Sequence, residues 1–186
     1  ATLVLGFANN HTGGIRIDAG AVQANNNTAL GTGTLTLNGG ALTSTGTRVF
    51  ANPLNVLGGG TIIGVAGNDF TFSSGAISGS FGETLIVTNT GAGTSSLIFS
   101  GSGFTFNANV NLAGLATNST ALEFRNAAGT QTFAGNLTGS GYVHRVTAGG
   151  TTILSGDNTY EGGTIIQGGT LETQWGDTHG SSLGRE

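Results

Sequence analysis

No stretch of this chain sustains the 3.6-residue apolar spacing of an amphipathic helix. Instead, apolar and polar residues alternate in short runs from end to end. Thr-Leu-Val-Leu at 2–5, Ile-Arg-Ile at 15–17, Thr-Leu-Thr-Leu at 34–37, Phe-Thr-Phe at 70–72 and again at 104–106, and Leu-Glu-Phe at 122–124 are examples. Period two puts alternate side chains on opposite faces of an extended backbone, which is the signature of a strand. Between the runs stand Gly-Gly, Asn-Gly, Ser-Gly and Gly-Asn pairs. Their glycines permit the positive φ of tight corners. The pattern predicts an all-β chain of many short strands.

Thirty-six of the 186 residues are glycine and one, Pro53, is proline. Such a composition suggests disorder only where apolar residues are scarce. Here Val, Ile, Leu and Phe recur regularly, so the chain is ordered. Only 8% of residues are charged, and the five cations are Arg16, Arg48, Arg125, Arg145 and Arg185, with a net charge of -4. Without a basic cluster, neither nucleic acid nor an anionic membrane surface is an expected partner. There is no cysteine, hence no disulfide framework, thiol nucleophile or zinc-thiolate site. No run approaches the roughly 18 apolar residues of a membrane-spanning helix. The opening residues lack the basic start and cleavage pattern of a signal peptide. The chain does not begin with Met and is expected to be an excised piece of a longer chain, with room for an export signal outside the piece.

Short strands with turn signals suit a sandwich, a barrel or a solenoid, and internal repetition decides among them. Residues 96–112 align with 121–137, matching Leu97 to Leu122, Phe99 to Phe124 and Phe106 to Phe133, a spacing of 25 to 27 residues. That length suits one coil of about three strands. At longer range, Leu5–Ala24 aligns with Leu154–Thr173 at a constant shift of 149, with Gly13-Gly14 on Gly162-Gly163. The expected fold is a single-stranded, right-handed parallel β-helix of about seven coils, one continuous body over 1–186 with repeat-like ends at 1–45 and 139–184. Coils about 4.8 Å apart would build a rod of about 35 Å. Phe70, Phe72, Phe99, Phe104, Phe106, Phe124 and Phe133 are the expected core.

The run 139–174 resembles the autotransporter-associated β-strand repeat, also called the passenger-associated transport repeat. Its residues are Ser155-Gly156, Asn158-Thr159-Tyr160, Gly162-Gly163-Thr164 and Gly168-Gly169-Thr170-Leu171. The amino-terminal copy departs from the pattern, with His11 in place of the tyrosine and Ala21-Val22 in place of Thr-Leu, although its continuation at 28–42 is again typical. The resemblance implies a passenger-like region of a bacterial type V secretion protein, extracellular or on the cell surface. In such proteins the repeat supports export and forms a stalk, and the translocating barrel is a separate domain. Adjoining repeats of the same chain are the implied partners. Unpaired strand edges at the ends would also allow end-to-end self-association.

Chemistry has few footholds. Asp177, His179 and Ser181 have the residue types of a hydrolase triad, yet a triad draws its members from separate elements, and five positions of one loop are read as a solvated turn. Asp157, Glu161 and Glu172 are candidate glycosidase carboxylates. Their equivalents in the first copy are Ala8, Thr12 and Gln23, so exposed turn acids are the better reading. His11 and His144 have no neighbour at metal-ligand spacing, and the stretch around Asp69 is too short for a calcium-binding repeat. No metal, cofactor or catalytic residue is assigned. Trp175 and Tyr160 are weak candidates for stacking on a sugar, each equally suited to covering a coil corner. Thr34 and Thr36 raise the idea of an outward hydroxyl array. The function expected is non-enzymatic: a stalk. An adhesin binding glycans or a host surface through loops or a flat face is the alternative, and a polysaccharide-degrading enzyme ranks third.

Overall fold

A computed structural model describes residues 1–114 and 118–174. The described residues contain 21 strands and no helix. The first seven are β1 (Thr2–Leu5), β2 (Ile15–Ile17), β3 (Ala21–Ala24), β4 (Leu35–Leu37), β5 (Ala41–Thr43), β6 (Arg48–Phe50) and β7 (Leu54–Val56). The next are β8 (Gly60–Gly64), β9 (Phe70–Phe72), β10 (Ile77–Gly79), β11 (Thr84–Asn89), β12 (Gly93–Phe99), β13 (Phe104–Phe106) and β14 (Asn109–Ala113). The last are β15 (Asn118–Phe124), β16 (Thr130–Phe133), β17 (Leu137–Gly139), β18 (Tyr142–Arg145), β19 (Thr151–Leu154), β20 (Thr164–Ile166) and β21 (Thr170–Thr173).

The pairings define a parallel β-helix of about eight turns, in line with the seven or so expected. Face one is the sheet β1-β3-β5-β8-β11-β14-β17, and face two is β6-β9-β12-β15-β18-β20. Face three is carried first by β2-β4-β7-β10 and then by β13-β16-β19-β21. Coil length varies. On face one Ala21 pairs with Ala41, a step of twenty residues, whereas Leu85 pairs with Val110 and Val110 with Leu137. The repetition read from the sequence is coil register: Leu97 pairs with Leu122, Phe99 with Phe124 and Phe106 with Phe133.

Alternation within each strand sends one set of side chains inward, where they stack in columns. Face one contributes Leu3, Val22, Leu42, Ile62, Val87 and Leu112, and face two contributes Phe50, Phe72, Phe99 and Phe124. All seven expected core phenylalanines are buried. Their rings form a continuous ladder, with centroids 6.3 Å apart for Phe72 and Phe99, 5.4 Å for Phe99 and Phe133, and 4.9 Å for Phe124 and Phe133. Each buried large apolar side chain stabilises by about 1.5–3 kcal/mol, and each aromatic pair adds about 0.5–1.5 kcal/mol. At the ends the columns open, and Leu3 and Ile166 are 58% and 56% exposed.

At the corners buried side-chain donors reach backbone carbonyls, some of which, such as those of Phe99 and Phe124, also accept from amides of the next coil, Arg125 and Val146. Leading from face two to face three, the Asn52 amide donates to the carbonyls of Leu30, Gly31 and Gly33 at 3.4, 3.1 and 2.7 Å. Farther along the rod the Gln131 amide donates to those of Phe99 and Gly101 at 3.0 and 2.5 Å. Near the carboxyl-terminal end the Arg145 guanidinium takes over. It donates to the carbonyls of Phe124 (2.8 Å), Asn126 (3.1 Å), Gly149 and Gly150 (3.1 Å). Burial holds its pKa below the usual arginine value.

The two copies of the long repeat share one local plan on different faces. In the first, β1 lies on face one, residues 6–14 cross face two without a strand, β2 lies on face three and β3 returns to face one. In the second, β19 lies on face three, residues 155–163 cross face one, β20 lies on face two and β21 returns to face three. The plan has turned by one face.

Candidate functional site

The outward side of a sheet is ordinarily wet, so a buried carboxylate there marks an unusual spot. Glu123 points outward from β15, between the inward Leu122 and Phe124, yet is only 6% exposed. A desolvated carboxylate requires partners. Ser96 Oγ, from β12, donates to Oε1 at 2.7 Å, and Arg125 donates to Oε2 through Nε at 2.9 Å and Nη2 at 2.6 Å. Across the next coil His144 Nδ1 lies 4.0 Å from Oε1. The backbone amide of Ser96 donates at 2.8 Å to Oδ1 of Asp69, which precedes β9. Ser96 thus ties two carboxylates together, one through its amide and one through its hydroxyl.

The electrostatics follow from this packing. Burial pushes the Asp69 carboxyl above its ordinary value and the Glu123 charge adds to the rise, while the hydrogen bond from Ser96 opposes it. Burial also raises the Tyr142 phenol, again helped by Glu123. The Tyr142 ring lies 6.4 Å from that of His144, centroid to centroid. Alongside, Thr94 Oγ1 and Ser119 Oγ are 2.5 Å apart.

This constellation is a hydrogen-bonded network of polar side chains from successive coils. Ser96 gives its hydroxyl proton to a carboxylate and not to an imidazole, so nucleophile and base are not paired as a hydrolase requires. Both Glu123 oxygens accept hydrogen bonds. Among the described residues no three His, Asp or Glu side chains gather as a metal site.

The residues singled out in the sequence lie elsewhere. Tyr160 is fully buried, its hydroxyl 2.5 Å from Thr164 Oγ1, and its ring covers the core beneath a coil corner with no face open to a sugar. Burial raises its pKa. Asp157, Glu161 and Glu172 are exposed, as is His11. The structure does not gather these acids with one another. Trp175, Asp177, His179 and Ser181 lie outside the described residues. Thr36 stands in an outward column with Arg16, Asn55 and Ser78, so no threonine rank forms there. Aligned threonines occur on face three farther along: Thr130, Thr151 and Thr170 in one rank, Thr105 and Thr132 in the next.

Sequence reasoning missed the Glu123 network. One signal was available: within the aligned segments Glu123 falls opposite Ile98, in an outward column that begins with Thr71, and Arg125 follows two positions on.

Stacked coils with a filled interior define the protein as a β-solenoid. Residues 1–24 and 146–172 match the passenger-associated-transport-repeat family, bearing out the resemblance read from Ser155 to Leu171. No curated protein and no solved structure matches the chain.

Proposed function

We propose that the chain is a non-enzymatic stalk segment of a bacterial autotransporter-like passenger, secreted or displayed at the cell surface, where it supports export and holds other regions away from the membrane. The observation that carries this reading is the repeat-family match at both ends of one uninterrupted stack. Nearest-neighbour coil contacts suit a chain that folds progressively as it emerges, with no disulfide required. Adjoining repeats are the partners this reading implies. The test is surface display of the parent protein with residues 1–186 removed. Reduced display or protease protection of the region beyond the segment is expected, and undiminished display would sink the proposal.

A second reading, adhesion through a flat face, is favoured by the threonine ranks on face three. These present hydroxyls and methyls at the strand spacing of about 4.8 Å. Glycan-array binding that vanishes in Thr151→Arg is expected under this reading, and clean negatives would leave the stalk alone.

A further inference from the structure

We propose that Asn38–Gly39 is a covalent modification site that coil stacking keeps closed: spontaneous deamidation converts Asn38 to an aspartyl or isoaspartyl residue when this corner opens, and the product weakens the corner thereafter. This goes beyond the stalk reading and does not depend on export.

The chain contains a single Asn-Gly pair, at 38–39. Glycine favours the reaction because no Cβ hinders its amide nitrogen. That nitrogen, having lost its proton to solvent, attacks Asn38 Cγ. A C–N bond forms and closes a succinimide, while the Cγ–Nδ2 bond breaks and Nδ2 takes up a proton and leaves as ammonia. Water then opens the ring at either carbonyl, giving the aspartyl or the isoaspartyl product. Water is the only reactant consumed.

Neighbouring coils oppose each step. The Gly39 amide donates to the Gly59 carbonyl at 3.0 Å, so the proton that must leave is held by the next coil. Asn38 Nδ2 donates at 2.6 Å to Oδ1 of Asp18 in the previous coil, where Arg16 Nε also donates at 2.7 Å. Gly58 packs against Asn38 Oδ1 so closely that a Cβ there would collide with it. The carboxamide is thus gripped from both sides. The products fit less well. An aspartyl carboxylate at 38 would face Asp18 one coil away, and like charges directly opposite each other destabilise a sheet. Asp18, whose carboxyl the hydrogen bonds from Arg16 and Asn38 hold below its ordinary value, would lose the second of them. An isoaspartyl link would lengthen the main chain beside Gly40, where Ile17 Cγ2 leaves no room for one further carbon.

Peptide mapping of the full chain by mass spectrometry, after parallel incubations at neutral pH in buffer and in urea, tests the site. Conversion at Asn38 should run at least about tenfold faster in urea, because the folded chain reacts only while the corner is open. Asp18→Ala should raise the rate in buffer by at least about threefold and leave the rate in urea unchanged. Phe99→Ala, which loosens distant coils, separates a local lock from overall stability and should raise the rate in buffer less than Asp18→Ala does. The converted protein, separated by charge and refolded, should unfold at a lower urea concentration than the unconverted one. Equal rates in buffer and urea, no response to Asp18→Ala, a response to Phe99→Ala as large or larger, or an unshifted midpoint would each overturn the proposal.

Discussion

Arg145 pairs in register with Phe124 and occupies the inward column that phenylalanine holds at positions 50, 72, 99 and 124. A fully buried cation thus replaces an aromatic ring, and its partners are carbonyl oxygens with no carboxylate among them. Desolvating a guanidinium is costly, and hydrogen bonds to charged groups repay part of that cost. Arg145→Met fills similar space but strands the carbonyls of Asn126 and Gly149, so it should destabilise by about 2–4 kcal/mol in urea unfolding.

Phe99 touches Phe72, Phe104, Phe106 and Phe133. Truncating it opens a cavity that rigid neighbouring coils cannot close, and Phe99→Ala should cost about 3–5 kcal/mol. Phe7, 86% exposed, provides the contrast, and Phe7→Ala should change stability by less than about 0.5 kcal/mol.

Gly14 and Gly163 occupy the same place in the repeat with φ of +79° and +76°. A Cβ on Gly14 would lie 2.4 Å from the Thr34 carbonyl oxygen of the neighbouring coil, whereas one on Gly163 meets nothing within 4 Å. Gly163→Ala should therefore cost only the backbone strain, about 1–2 kcal/mol. Gly14→Ala should cost clearly more, read as the difference between their unfolding midpoints.

Deleting residues 97–121 removes one turn and brings Leu122 to the place of its register partner Leu97. The shortened protein should retain its β-rich circular dichroism and unfold cooperatively with a reduced m-value, since less surface is exposed. Loss of cooperative unfolding would contradict independent stacking of coils.

Both tyrosines of the chain, Tyr142 and Tyr160, have phenols raised by burial. A phenol whose folded pKa is raised reduces stability as pH climbs past the ordinary tyrosine value. Tyrosinate absorbance should accordingly lag behind that of the urea-unfolded chain on titration through about pH 10. Coincident curves would show that neither ring is sheltered.

Much of this architecture is legible without coordinates because period two and coil register are linear properties. Leu97 above Leu122 and Phe99 above Phe124 follow from aligning the chain with itself. The faces do not follow. Nothing local tells whether Thr36 faces other threonines, since its neighbours, Arg16 and Asn55, depend on coil lengths of about twenty residues that change farther along. Tyr160 reads equally well as an exposed ring or a buried one until the coil below it is placed. The Glu123 network draws on Asp69, Ser96 and His144, from three other coils, so only the stacking brings them together.

The turn of the repeat by one face has a bearing on display. Residues 6–14 and 155–163 are corresponding loops, yet they look out over different sides of the rod. Azimuth is therefore set by the intervening coil lengths and not by the repeat itself. Inserting or removing a single strand-and-corner unit between two copies would swing one loop by about a third of a circumference relative to the other, with both copies unchanged in sequence.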